Sequence, residues 1–236
     1  MNEAYQRKSL GEEITYRISS DESVFIRKTY LHLALAIAAF AGIEATLLSW
    51  SGAIGLASAM TQGNAWILVM LLFMGVSWIA DKWARSATSL SLQYFGLSLY
   101  VAAQAVIFLP LMLVAKSYAP DAIVQAGVLT GALVLGLTFT VFFTRKDFTF
   151  LRPIIGIVSI IAFGAIVCAV LFGFDLGLWF SIAMIGLAAA AILYQTSAML
   201  RIYRSDQYVS AALGLFASVA LLYFYILRIL IQLRRR

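Results

Sequence analysis

The sequence predicts an all-α fold, a polytopic membrane protein with seven transmembrane helices. Three observations predict it. The first is composition: of 236 residues, 63% are hydrophobic and only 12% are charged, whereas a soluble domain carries about 25% charged residues. So little polar surface cannot cover a water-facing globule, and a mean hydropathy of +0.93 agrees. A soluble enzyme, a secreted domain and a disordered chain are thereby excluded as readings of the whole. The second is run length. A helix needs about 20 apolar residues to cross the bilayer core, and seven stretches of the chain approach or exceed that. The third is the lack of alternation. Runs such as IAAFAGIEATLL and IIGIVSIIAFGAIVCAVLFG show no period of two, so transmembrane strands do not fit.

The elements follow in order. Residues 1–28 read as a tail with five basic and five acidic side chains, hence no net charge. The tail has no apolar core of a signal peptide, so the first span is expected to stay in the protein. That span covers 29–51, with His32 at its start as an interfacial residue. Residues 52–64 carry no charge and read as a loop. The second span covers 65–80, extended by Trp83, and the third 91–115. The fourth, 122–144, holds Gly127 and Gly131 as a GxxxG pair, expected to pack within the bundle. The fifth, 153–174, contains Cys168, the single cysteine; it can form neither an internal disulfide nor a zinc cluster. The sixth covers 176–200 and the seventh 209–233, followed by a basic tail at 234–236. The domain organisation is therefore an amino-terminal tail, one seven-helix membrane domain over 29–233, and a short basic end.

Lysine and arginine in short loops set orientation. Twelve lie on the side of the amino terminus: five in the tail, then Lys82, Arg85, Arg145, Lys146, Arg152, Arg201 and Arg204. The other side has Lys116 between its spans. This bias places the amino terminus in the cytoplasm. Arg234 to Arg236 fall on the opposite side and depart from the rule. The net charge of +6 is thus loop charge that orients helices, with no basic patch and interleaved aromatics of the kind that binds nucleic acid.

Catalytic constellations are not expected. A retinal Schiff base needs a lysine in the last span, and 209–233 has none. His32 is the only histidine, which leaves a serine–histidine pair or a zinc site without partners. Asp81, Asp121, Asp147, Asp175 and Asp206 fall at span ends or in loops, so no aspartate dyad is expected at membrane depth. The chain therefore reads as a protein that is not an enzyme and carries no cofactor or metal.

Two charges do fall at depth, where they are costly. Glu44 lies about 22 Å along the first span and Arg228 about 28 Å along the seventh, at 1.5 Å per residue. The difference of about 6 Å is within the reach of their stems. The sequence predicts that Glu44 and Arg228 form an intramembrane ion pair.

Three stretches resemble the Bax-inhibitor-1 family, also called TMBIM. They are FIRKTYLHLAL at 25–35, GLTFTVFFTRKDFTFL at 136–151, and ILYQTSAMLRIYRSDQYVSAALGLFASVALLYFYILRIL at 192–230. The resemblance implies six helices around a hydrophobic seventh, a calcium leak gated by pH, and, for some bacterial members, modulation of a membrane-anchored AAA protease. It also implies a bacterial inner-membrane location. The family's proton sensor is a pair of aspartates in the sixth and seventh spans. At the matching positions this chain has Gln195 and Ser218. Two carboxylates in one dry site share a proton; glutamine and serine do not titrate in the physiological range. The expectation is an ion leak, with calcium or another cation as the permeant ion and pH gating through this pair doubtful. The alternative is a non-transporting protein that binds and modulates a membrane complex. The lipid bilayer is the first partner under either reading.

Overall fold

The computed structural model describes the backbone of residues 2–86 and 89–234, and within them the side chains from residue 21 onward. The tail's charge balance before Asp21, and Arg235 and Arg236, lie outside the described side chains. Among the described residues there are eight α-helices and no strand: α1 (Asn2–Ser49), α2 (Ala53–Thr61), α3 (Ala65–Ala84), α4 (Leu90–Tyr118), α5 (Pro120–Thr144), α6 (Leu151–Phe172), α7 (Gly177–Arg201) and α8 (Tyr208–Arg234). Seven are long and apolar enough to cross a membrane. The all-α, seven-span prediction holds.

Two elements differ from expectation. Residues 52–64 are not simply a loop. Ala53 and Ala57, one turn apart, share a face of α2 with Met60 and bury it, and Ala53 and Ala57 pack against Leu109 of α4. The first helix also begins far ahead of residue 29. At 48 residues α1 is about 72 Å long, and it takes in the polar tail as well as the apolar span.

Local chemistry sets the helix ends. Ser89 caps α4, its Oγ accepting from the Leu92 N–H at 3.3 Å. Pro120 opens α5, where a missing N–H costs nothing. Gly173, at φ +69°, closes α6 in the left-handed conformation that glycine adopts freely. Arg145 closes α5 at φ +52° without that freedom. Its carbonyl accepts from Arg201 Nη2 at 2.6 Å, a tertiary contact that helps hold the turn.

α8 is the centre of the bundle. Of its most apolar stretch 56% is buried, against 39% for α4, the next highest. It packs on α1, α3, α4, α5 and α7. A helix apolar on all sides is expected in this position. Aromatic contacts join it to its neighbours. Phe40 of α1 meets Phe108 of α4 edge-on at 5.1 Å and Phe216 of α8 at 6.0 Å. Tyr100 meets Phe216 at 6.1 Å, and Phe108 meets Phe224 at 5.1 Å. Such pairs add about 0.5–1.5 kcal/mol each beyond burial.

α6 is the opposite case. It is the most apolar span and the least buried, at 6%. It packs mainly on α7 and reaches α8 through Ala162 beside Tyr225. Ile157, Ile160 and Ile161 point outward, as lipid-facing side chains do. Gly127 and Gly131 of α5 are also exposed, and a Cβ added to either would meet nothing within 4 Å. The expected packing of this GxxxG pair inside the bundle is not found.

One glycine does set a close approach. A Cβ on Gly96 of α4 would lie 2.5 Å from the Ala80 carbonyl oxygen and 2.8 Å from the Ala84 nitrogen of α3. Both are backbone atoms and cannot rotate away. Gly96→Ala is therefore expected to force α3 and α4 apart at a cost of about 1–3 kcal/mol. In detergent, its melting midpoint should fall by several degrees, while Gly127→Ala should melt like the parent.

Candidate functional site

The end of the bundle where the α1 span begins is here the near end, and the opposite one the far end. At the far end, Arg228 Nη2 pairs with Asp175 at 3.3 Å in the turn between α6 and α7. Glu44 is 2% exposed, and neither of its carboxylate oxygens has a hydrogen-bond partner. The expected Glu44–Arg228 pair is not formed. The physical reason is desolvation. Meeting Glu44 would take the guanidinium into the bundle interior, whereas Asp175, 73% exposed, lets it reach outward to water along its stem. Glu44 instead lies within electrostatic range of Tyr223. Tyr223 donates to the Ile123 carbonyl at 3.4 Å.

Arg228 belongs to a pattern. Each aspartate from Asp81 to Asp206 meets an arginine. Arg234 pairs with Asp121 at 3.3 Å, Arg85 with Asp81 at 2.9 Å, Arg204 with Asp206 at 3.1 Å, and Arg201 with Asp147 at 3.8 Å. The last pair docks the α5–α6 turn on α7. There Ser197 Oγ accepts from the Phe148 N–H at 3.0 Å, and Asp147 Oδ1 accepts from the Thr149 N–H at 2.8 Å. That backbone bond, with the Thr149 side chain, Arg201 and Ser197, holds the Asp147 carboxyl below its ordinary range.

The two positions singled out from the resemblance lie close together. The Gln195 carboxamide of α7 sits directly over Gly214 of α8. A Cβ there would come within 2.7 Å of Gln195 Oε1. Ser218, one turn further along α8, donates from its Oγ to the Gly214 carbonyl at 3.0 Å. Gln195 and Ser218 thus flank the same glycine, although no direct hydrogen bond joins them. Gln195 also accepts from the Tyr203 hydroxyl at 3.5 Å.

Gln195 forms part of the wall of a 560 Å³ cavity at the near end. Four elements build it. Arg85 comes from the end of α3, Arg152 from the start of α6, Tyr194 from α7, Tyr203 from the α7–α8 turn, and Ser210 from α8. Burial pushes the Tyr203 phenol above its ordinary value, and the charge of Arg85 pulls it partly back. No carboxylate among the described residues lines the cavity. Sequence reasoning placed Arg85 and Arg152 only as orienting loop charges and did not single out Gly214.

Seven apolar spans, one of them buried at the centre of the bundle, with a polar vestibule at one end, define a helical integral membrane protein. The family described as Inhibitor of apoptosis-promoting Bax1 matches residues 22–235, nearly the whole chain, and the protein belongs to that family. Compared one by one with curated proteins, the chain matches none.

The far-end geometry makes a prediction. Arg228→Gln and Asp175→Asn should each lower the melting midpoint in detergent slightly, by the equivalent of up to about 1 kcal/mol for an exposed pair. The double variant should lose no more than either single one. Glu44→Gln should cause no loss. A loss on Glu44→Gln that is shared with Arg228→Gln would restore the pairing expected from sequence.

Proposed function

We propose that the protein is a leak-type ion passage, with calcium as the ion to be tested first. The observation that carries this reading is the vestibule at the near end, whose wall includes Gln195, the side chain that lies over Gly214. That contact is the narrow point of the proposed path. It contains an amide, a hydroxyl and a glycine, and none of these titrates in the physiological range. The passage therefore lacks a pH switch at this contact. A calcium ion crossing it would meet no carboxylate, so it would pass without a tight binding site. The excess of basic residues at the near end supports a cytoplasmic amino terminus.

Calcium uptake into proteoliposomes tests this. Uptake above empty vesicles is expected, with rates at pH 6 and pH 8 equal within about twofold, because the contact holds no titrating group. Gly214→Ala should push the Gln195 side chain into the path and slow uptake without unfolding the protein. Gln195→Asp combined with Ser218→Asp should make uptake pH-dependent. No uptake above empty vesicles would overturn the proposal.

A second reading has its own observation. α1 runs as helix for nineteen residues ahead of Asp21, about 28 Å at 1.5 Å per residue. Such an arm supports a protein that docks on another membrane complex, for which an AAA protease is the partner to test. Removing residues 1–20 should then abolish co-purification with the protease and leave the melting midpoint of the bundle unchanged. Co-purification that survives the deletion would remove the arm from the interaction.

A further inference from the structure

The near-end vestibule has an unusual charge balance. Asp81 neutralises Arg85 through contacts of 2.9 Å to both carboxylate oxygens. Asp147 is taken by Arg201 and Asp206 by Arg204. Arg152 is left with no carboxylate among the described residues, yet it lines the same cavity. Among the described residues, the cavity therefore carries one guanidinium without a carboxylate partner.

The neutral groups around it are suited to donate. Gln207 uses its Oε1 to accept from the Arg204 N–H at 3.1 Å, which leaves its amide N–H₂ for another partner. Ser210 is buried in the wall, with its hydroxyl facing the Tyr203 phenol. Tyr194 adds a phenol, while the Tyr203 hydroxyl already donates to Gln195. A wall of guanidinium, hydroxyl and amide donors with no acid is chemistry for an oxyanion. Its volume of 560 Å³ is in the range of small-molecule sites, about 300–1,000 Å³.

We propose that this vestibule is a seat for a phosphate-bearing anion, held by Arg152 and Arg85 with Ser210 and Gln207 as neutral donors. The seat lies at the level of the loops, where a phosphate can come from a lipid headgroup or from free phosphate in solution. The proposal goes beyond the ion-passage reading and does not rest on it.

The test uses the full chain in a phospholipid-free detergent micelle and follows its melting midpoint. Sodium phosphate is titrated against sodium chloride at matched ionic strength. In parallel, dihexanoyl phosphatidylglycerol is titrated against dihexanoyl glycerol. A saturable rise with phosphate assigns the seat to a free anion. A rise with the phospholipid alone assigns it to a headgroup. In either case Arg152→Gln should weaken the apparent affinity about tenfold, the loss expected for one charge-assisted contact, with its midpoint in chloride close to the parent's. Should Arg152→Gln fail to fold, Arg152→Lys keeps the charge, loses the planar fork, and should weaken binding about threefold. The proposal is overturned if neither phosphate compound raises the midpoint above its control, or if the arginine variant that folds binds like the parent.

Discussion

The structure depends on the burial of α8. Within a bilayer, lipid tails are as apolar as leucine, so helices gain little from hiding apolar surface from one another. Close packing has to supply the association. α8 does this with small residues at intervals, such as Ala211, Ala212, Gly214 and Ala220, and with Phe216 and Phe224 between them. The small residues admit neighbouring helices, and the aromatic rings join α1, α4 and α8. Gln195 reaches the bundle centre because Gly214 leaves room for it.

The ends of the bundle follow a different rule. Charge cannot be left at depth without large cost, and five arginine–aspartate pairs lie at the helix ends and turns. Three of them join separate elements: Arg201 to the α5–α6 turn, Arg228 to the α6–α7 turn, and Arg234 to α5. Lys116 adds a fourth tie, donating to the Leu48 carbonyl at 2.9 Å near the end of α1. With the aspartates engaged, the unpaired charge of Arg152 stands out. Glu44 is a buried acid that this scheme leaves alone.

How much of this was legible in the sequence depended on whether one helix or several were involved. Each span could be read because length and hydropathy are properties of a single run. α2 could not, because its nine residues are too few for a spanning signal and Gly52, Gly55 and Gly63 argue for a loop. The position of Glu44 along α1 was readable, but its direction around the helix was not. Depth alone made Arg228 a plausible partner, while Asp175, in a turn, was the partner the arginine could reach from water. Gln195 and Ser218 were found through the resemblance, and their shared neighbour Gly214 needed the three-dimensional packing. The vestibule draws on four separate elements, so no local pattern could have announced it.

The walls of that vestibule differ in mechanical compliance. On one side Arg85 extends from α3, which is locked to α4 at Gly96 by backbone-to-backbone contact. On the other side Arg152 and Gly156 belong to α6, which is held chiefly by α7, touches α3 only lightly, and is the least buried of the spans. A load applied at this mouth meets a stiff jaw and a soft one. The width of the opening is therefore a property of the surrounding bilayer as well as of the protein, because lateral pressure in the lipid acts directly on the jaw that yields.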